Sequence, residues 1–395
     1  MSGPVVDWSA DPGHECSAAV AAGLLAAGEH WADAVEAAER ALARAVCRET
    51  ALCVSRALAT LVCAGELVAA DAHSLALVEA SPTGPVAEQA LLARACVARR
   101  TGDLARCSSL LESLRRSGEE IRPVVLAWTA ELLVVRGDPG GARAVLRGRE
   151  AGHPLLTEAE AVVALASGRP RDALEGFLAC GRALAEAGVV NPAVVPWRYR
   201  ASRAALACGD TENALRLAVE EHTAAARWGE PRTLGLSLAA VAAASPPRGE
   251  DLMTWERSVR LLEMAHARTE LAEVLCEYGD RLVAHGKQVA AREVYAQARA
   301  TAPDAVLVRR AEEALDAVAA SLGAEPVLTP VEAEVARLAR TGLNNRGIAS
   351  ELALSTRTVE LHLTRVYRKL GLSGRRELQV IRWCPTSPGN LADPP

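Results

Sequence analysis

A short stretch near the C-terminus carries the side chains with the most distinctive chemistry in this sequence. Residues 356–370 read TRTVELHLTRVYRKL and include Arg357, Arg365, Arg368 and Lys369. Guanidinium groups donate paired hydrogen bonds to phosphates and to bases that present two adjacent acceptors. The stretch therefore indicates binding to an anionic partner. No nucleophile–base constellation, metal motif or phosphate loop in the sequence indicates catalysis.

The same stretch has the spacing of an amphipathic helix. We predict a helix from Thr356 to Leu370, with Ser355 as its cap and Gly371 at its end. One face collects four apolar residues at helical spacing: Val359, Leu363, Val366 and Leu370. The opposite face carries Arg357, Glu360, Leu361, Thr364, Arg365 and Arg368. A helix with an apolar back and an arginine-rich front has the form that enters the major groove of DNA.

A preceding helix is expected from the sequence before this stretch. Thr329 provides a hydroxyl cap, Pro330 suits the first helical position, and Glu332 places an acid in the first turn. Gly342 is expected to end the helix. Its buried stripe is predicted to consist of Val331, Val335 and Leu338.

Two shorter helices complete the predicted C-terminal domain. One runs from about Asn345 to Leu352 and is followed by a turn around residues 353–354. The other begins near residues 374–375. The side chains expected to be buried in these two helices are Ile348, Leu352, Leu378 and Ile381.

The landmarks of this segment resemble the helix-turn-helix of the LuxR/GerE family. The matching positions are Leu328-Thr329-Pro330, Glu334-Val335, Gly342-Leu343-Asn344-Asn345, Ile348-Ala349, Leu352, Ser355, Thr358-Val359, His362 and Lys369-Leu370-Gly371. The resemblance implies a domain that binds double-stranded DNA, a homodimer on that DNA, and a transcription regulator that contacts RNA polymerase. The alternative is an ordinary amphipathic helical tail with chance similarity.

The helix faces and the resemblance together give a set of expected contact residues. Those expected to contact DNA are Arg346, Arg357, Thr358, Val359, Glu360, Leu361, His362, Thr364, Arg365, Arg368 and Lys369. The resemblance places the dimer interface on the fourth helix, around Arg375 to Val380. Its candidate residues are Arg375, Leu378 and Gln379. Arg375 and Arg376 are also candidates to flank the DNA backbone.

Two of these positions leave alternatives open. Many family members have lysine where this chain has Glu360, and glutamate repels phosphate but accepts a hydrogen bond from cytosine N4. We therefore do not interpret Glu360 as inactivating. His362 either contacts phosphate or is a polar residue at the edge of the domain.

The rest of the chain shows an internal repeat. Glycines recur at intervals of 31 to 41 residues: Gly28, Gly65, Gly102, Gly137, Gly168, Gly209, Gly249 and Gly286. Several have alanine five positions later: Ala70, Ala142, Ala173, Ala214 and Ala291. We expect each glycine to end the first helix of a pair and each alanine to allow close helix packing. The pattern resembles tetratricopeptide repeats, which stack into arrays with a concave binding surface; a non-repetitive helical bundle is the alternative.

Two residue types in the body leave a choice between packing and binding. Five tryptophans either line a groove or, as we favour, pack between repeats: Trp31, Trp128, Trp197, Trp228 and Trp255. The ten cysteines include no C-x-x-C and no Cys/His cluster with zinc spacing. We interpret them as small buried thiols in a reducing compartment, with no metal bound.

Composition agrees with a helical protein whose charge is unevenly distributed. Aromatic residues make up 3% of the 395 residues, which favours helices packed through small side chains over strands. The net charge is −5, but residues 329–382 contain ten basic and five acidic residues. A basic module on an acidic body suggests that only the module meets a polyanion.

The region before the module also resembles the end of large ATP-binding LuxR regulators. Its matching features are Pro196-Trp197-Arg198, Gly209-Asp210, Ala226-Arg227-Trp228-Gly229 and Pro231-Arg232. The chain lacks the G-x-x-x-x-G-K-[ST] motif, so ATP binding is not carried over and no cofactor is expected.

The sequence thus predicts an all-α protein: a tetratricopeptide-like array followed by a four-helix LuxR-type domain. Expected boundaries are a disordered N-terminus at 1–14, repeats at 15–320, a linker at 321–328, the DNA-binding domain at 329–383 and a disordered tail at 384–395. We expect a cytoplasmic, non-enzymatic regulator whose body senses an effector or docks a partner, with no membrane contact. The alternative function is a protein-binding scaffold with a weak or vestigial DNA-binding module.

Overall fold

The computed structural model confirms the all-α prediction. It describes residues 16–116, 118, 121–147, 152–247, 249–323, 328–370 and 372–380, and every regular element in these ranges is a helix. The predicted disordered termini, Gly371, Ile381 and Cys384 lie outside the described residues.

Within the described ranges, eighteen helices precede the C-terminal domain. Their bounds are α1 (Ser17–Ala27), α2 (Trp31–Ala43), α3 (Ala45–Arg48), α4 (Ala51–Cys63), α5 (Leu67–Ala80), α6 (Pro85–Thr101), α7 (Leu104–Ser113), α8 (Arg122–Val135), α9 (Pro139–Leu146), α10 (Pro154–Ala166), α11 (Pro170–Glu186), α12 (Trp197–Ala207), α13 (Thr211–Trp228), α14 (Pro231–Ala244), α15 (Glu250–Met264), α16 (Arg268–Ala284), α17 (Gln288–Thr301) and α18 (Ala305–Gly323).

Four more helices follow these eighteen in the described chain: α19 (Pro330–Arg340), α20 (Asn345–Glu351), α21 (Thr356–Leu370) and α22 (Arg375–Val380). The described residues form two compact units. The first extends to Tyr278 and includes Gln297–Glu312; the second consists of Gly279–Ala296 and the residues from Glu313 onward.

The body is a stack of helix pairs. Consecutive helices such as α10 and α11 or α12 and α13 pack against each other. The first helices of several successive pairs also pack together: α1 with α4, α4 with α6, and α8 with α10. These pairs therefore bury apolar faces against the next pair, which is the arrangement of a helical repeat array.

The predicted glycines form most of the turns within the pairs. All eight have a positive φ, between 70° and 89°, and Gly28 and Gly102 directly cap α1 and α6 in the left-handed conformation. The prediction is wrong for Gly249, which lies before α15 as its N-cap, five residues after α14 ends at Ala244. Five of the other glycines have alanine five positions later, and these alanines are fully buried: Ala70, Ala142, Ala173, Ala214 and Ala291.

The prediction that the tryptophan and cysteine side chains of the body are buried is only partly confirmed. Trp228 and Trp255 are buried, whereas the other three tryptophans of the body are half-buried. Five cysteines are buried, and four are partly accessible: Cys16, Cys53, Cys96 and Cys208.

Close approach of two helices makes Gly181 a sensitive position. A Cβ added there would overlap three atoms of the Trp197 indole, whereas a Cβ at Gly23 on α1 would meet nothing within 4 Å. We expect Gly181→Ala to lower the free energy of unfolding by about 1–3 kcal/mol, because overpacking displaces a large ring. Gly23→Ala should raise it by up to about 1 kcal/mol, since alanine favours the helix.

Chemical denaturation of the two variants checks this prediction. A Gly181→Ala protein as stable as the unsubstituted chain would show that α11 and α12 do not approach this closely.

Candidate nucleic-acid interface

The C-terminal helices surround a compact apolar core. α21 packs against α19 and α20, and α19 packs against α22. Val359, Leu363 and Val366 of α21 are buried in this core, as the helical spacing predicts. The expectation that Val359 contacts DNA is wrong for its side chain, which is fully buried and holds α21 on the domain.

An ion pair between the buried Glu332 and the more exposed Lys369 joins the start of α19 to the end of α21. The Glu332 carboxylate accepts from the Thr329 N–H at 2.8 Å, completing a capping box, and also binds the ammonium group of Lys369. Glu332 takes the inward position of the first turn, so the prediction that Val331 is buried is wrong: it is 45% exposed. The charge of Lys369 is thus largely committed within the domain.

The turn between α20 and α21 sets the position of the longer helix. Ala353 has a φ of 52°, an uncommon conformation for a residue with a side chain. Ser355 caps α21 as predicted, because its Oγ accepts from the Thr358 N–H at 3.0 Å. The Thr358 hydroxyl lies 2.7 Å from the same Oγ, so part of its hydrogen-bonding capacity is already used.

The outer face of α21 is exposed over its whole length. We call this set of side chains the α21 surface: Arg357, Glu360, Leu361, Thr364, Arg365 and Arg368. Within the described chain, its three arginines form no ion pair. Their charges are therefore available to an external anion. Arg346, near the start of α20, is also exposed.

His362 lies at the margin of the α21 surface. Its side chain is half-buried, and its Nδ1 is buried with no hydrogen-bond partner in the described residues. The ring therefore belongs partly to the domain edge, and both interpretations of this residue stay open.

Two of the three predicted dimer residues on α22 form contacts within the domain. Leu378 is fully buried in the apolar core, so its assignment to an interface is wrong. Arg375 donates to the Asn345 side chain at 2.7 Å and to the Leu343 carbonyl, which ties α22 to the loop before α20. The side chain of Gln379 lies outside the described residues.

Comparison with known proteins identifies the family of the C-terminal helices. Residues 326–383 match the family described as bacterial regulatory proteins, luxR family. The C-terminal segment is a LuxR-family helix-turn-helix domain. HTH-type transcriptional regulators of Mycobacterium bovis and Mycobacterium tuberculosis are 55% identical to this chain over 51 residues. The match covers 13% of this chain and 6% of each relative, so it concerns the LuxR-type domain alone.

Two solved structures align with much of this chain. A Rap protein complexed with competence and sporulation factor aligns with 83% of this chain and 98% of its own, with a TM-score of 0.48 and 11% identity. A structure of Naa15/Naa10 bound to HypK-THB aligns with 89% of this chain and 66% of its own, with a TM-score of 0.25 and 13% identity. None of the described helices is long and apolar enough to span a bilayer.

Glu360 is the one acid on the α21 surface, and its replacement tests how that surface meets DNA. We expect Glu360→Lys to strengthen binding to non-cognate duplex DNA, because it replaces a repelled charge with an attracted one. The log–log slope of affinity against salt should steepen by about 1 to 2 counterions. Fluorescence anisotropy at several salt concentrations measures both effects.

The matched control for this prediction is Glu212→Lys on the exposed start of α13. It makes the same charge change in the body and should leave the slope unchanged. Equal slopes for both variants would contradict a position of Glu360 against the duplex.

Proposed function

We propose that this chain regulates transcription by placing the outer face of α21 in the major groove of duplex DNA. The observation that carries the proposal is the row of exposed arginines on a helix whose opposite face is seated in a folded core. Such a helix presents long cationic side chains without having to rearrange. That geometry suits both phosphate neutralisation and readout of base edges.

Each exposed residue of α21 has a contact that its chemistry favours. Arg365 and Arg368 suit guanine N7 and O6 or flanking phosphates, because a guanidinium offers two parallel donors. Leu361 is 54% exposed, which suits contact with a thymine methyl group. Glu360 suits the amino group of cytosine, and Arg346 suits a phosphate beside the groove.

The family resemblance supports proposals about dimerisation, contact with RNA polymerase and signal reception. We infer a homodimer on DNA, formed by side chains of α22 that remain exposed, such as Arg376 and Glu377. Contact with RNA polymerase and activation of transcription are part of the same proposal, as is a cytoplasmic, non-enzymatic role. The helical array would then receive the signal, from a partner protein or a small effector.

Selection from a pool of random duplexes tests the DNA-binding proposal on the full chain. We expect enrichment of paired half-sites about one helical turn apart. As a control, the same selection is run with Arg365→Ala and Arg368→Ala combined, which should yield no enriched sequence. If the unsubstituted chain also enriched no sequence, the chain would not be a sequence-specific regulator.

A further inference from the structure

Among the described residues of the body, one buried arginine forms no ion pair with a carboxylate. Arg100, in α6, is only 6% exposed, and a guanidinium stays protonated at all physiological pH values. Its Nη2 donates to the Ala193 carbonyl at 3.0 Å and lies 3.7 Å from the Cys63 sulfur. Its Nε and Nη1 are buried without a hydrogen-bond partner in the described residues. A buried charge with unmet donors is costly, so this arrangement favours binding of an anion.

The neighbouring arginines show how such charges are balanced elsewhere in the same region. Arg99 and Arg200 both donate to the Glu131 carboxylate, at 2.9 and 3.0 Å. The nearby carboxylate of Glu230 is occupied by the start of α14, where it accepts from the Thr233 N–H at 2.8 Å. Arg100 is thus left with a backbone carbonyl and a sulfur atom as its contacts.

Arg100 lines a cavity in the first compact unit. The cavity measures about 150 Å³, a volume that in an apolar site accommodates a benzene ring. His153 also lines it, is 4% exposed, and has no hydrogen-bond partner on either ring nitrogen in the described residues. The apolar part of the remaining wall includes Leu58, Val62, Leu92, Trp128, Leu155 and Val194, and its charged part is three arginines and one carboxylate: Arg99, Arg200, Arg232 and Glu158.

We propose that this cavity binds a small organic anion, whose carboxylate or phosphate group pairs with Arg100 while an apolar body of about one ring packs on the wall. A few polar groups in an apolar cavity are the usual composition of a small-molecule site. Its role as the effector site rests on the proposed function. Binding of the anion itself does not depend on DNA and is measured without it.

Calorimetric titration of the full chain tests the site with benzoate and phenyl phosphate, and with neutral benzamide as the matched probe. We expect at least one anion to bind at least about tenfold more tightly than benzamide. Arg100→Met should remove this preference. Arg171→Met, which removes an exposed arginine from α11, should leave it intact.

Thermal unfolding without ligand separates a binding role from a structural one. If Arg100 is an unpaired charge awaiting an anion, Arg100→Met raises the midpoint of the ligand-free chain, because a methionine of similar length needs no partner. A lowered midpoint, or equal affinity for benzoate, phenyl phosphate and benzamide, would overturn the proposal. Loss of DNA binding with intact anion binding would instead count against the proposed function alone.

A second, independent observation concerns three cysteines at the start of the body. Cys16 precedes α1, Cys47 lies in α3 and Cys53 lies in α4. The Cys16 sulfur is 3.9 Å from that of Cys47 and 3.5 Å from that of Cys53, and all three lie within 4.8 Å of one another. All three are free thiols, and Cys16 and Cys53 are partly accessible.

The distances between these sulfur atoms match the distance between two ligand atoms in a tetrahedral metal–thiolate site. Ligands about 2.3 Å from a zinc ion in tetrahedral geometry are separated by about 3.8 Å. We infer that the three thiols, as thiolates, bind one thiophilic metal ion and release their protons to solvent on binding. A fourth position would be left for solvent or another ligand.

Competition between the reduced full chain and a chromophoric chelator tests this site with Zn²⁺. We expect one tightly bound Zn²⁺ per chain, lost in Cys16→Ser, Cys47→Ser and Cys53→Ser alike. Cys208→Ser removes a partly accessible thiol elsewhere and should retain the ion. Retention by all three cluster variants, or loss by Cys208→Ser as well, would overturn the inference.

Discussion

Combined replacement of Arg365 and Arg368 by alanine is expected to abolish specific DNA binding while leaving the domain folded. Both side chains are exposed on α21 and form no ion pair within the described chain, so no internal contact is lost. A guanidinium on a base or phosphate is worth about 1–3 kcal/mol, so the pair should cost at least about thirtyfold in affinity. If both contact phosphates, the salt slope should also fall by about 2.

Anisotropy titrations at several salt concentrations measure this loss. The matched control is Arg171→Ala combined with Arg182→Ala, which removes two exposed arginines from α11 of the body. That variant should bind DNA as the unsubstituted chain does. Equal affinity and an unchanged salt slope in the α21 variant would place DNA on another surface.

Glu131→Ala is expected to lower the free energy of unfolding by about 3 kcal/mol, because it leaves the partly buried Arg99 without a carboxylate partner and Arg200 with Glu158 alone. Glu131 accepts from Arg99 on α6 and from Arg200 on α12, and so joins three helix pairs. Burial raises the pKa of this carboxyl, but the two guanidinium groups outweigh burial and hold the pKa below its usual value. The stabilisation should therefore be present at neutral pH and be lost as acidification passes through that lowered pKa.

Denaturant unfolding at pH 7 and at acid pH checks both parts of this prediction. The control is Glu112→Ala, which breaks an exposed pair with Arg115 and should cost less than about 1 kcal/mol. A Glu131→Ala variant as stable as the Glu112→Ala variant would show that the buried pairs contribute nothing net.

Local periodicity made most of the DNA-binding domain predictable. The bounds of α21, its buried stripe and the cap at Ser355 all depend on residues a few positions apart, where spacing determines which side chains share a face. The glycine turns of the body were predictable for the same reason, since a left-handed conformation strongly favours glycine.

Contacts between residues distant in sequence explain the wrong predictions for Val331 and Leu378. Val331 was expected to be buried because the prediction considered only the spacing of apolar residues within α19. Glu332 is buried instead, where it binds Lys369, which lies 37 residues after Glu332 in the chain. Leu378 was assigned to a dimer from family resemblance, but within this chain it completes the core of the domain.

The two proposed sites were also beyond sequence reasoning. The three thiols converge from α3, α4 and the residue before α1, so no short spacing marks them. Arg100 differs from the other arginines only in what surrounds it after folding.

Dimethyl sulfate footprinting on a selected duplex shows whether the outer face of α21 lies in the major groove. The reagent methylates guanine N7, which lies in the major groove. We predict protection of guanines in each half-site by the full chain and loss of that protection in the Arg365→Ala, Arg368→Ala variant. Bound DNA whose guanines remain fully reactive, or protection that survives in the variant, would show that α21 does not lie in the major groove.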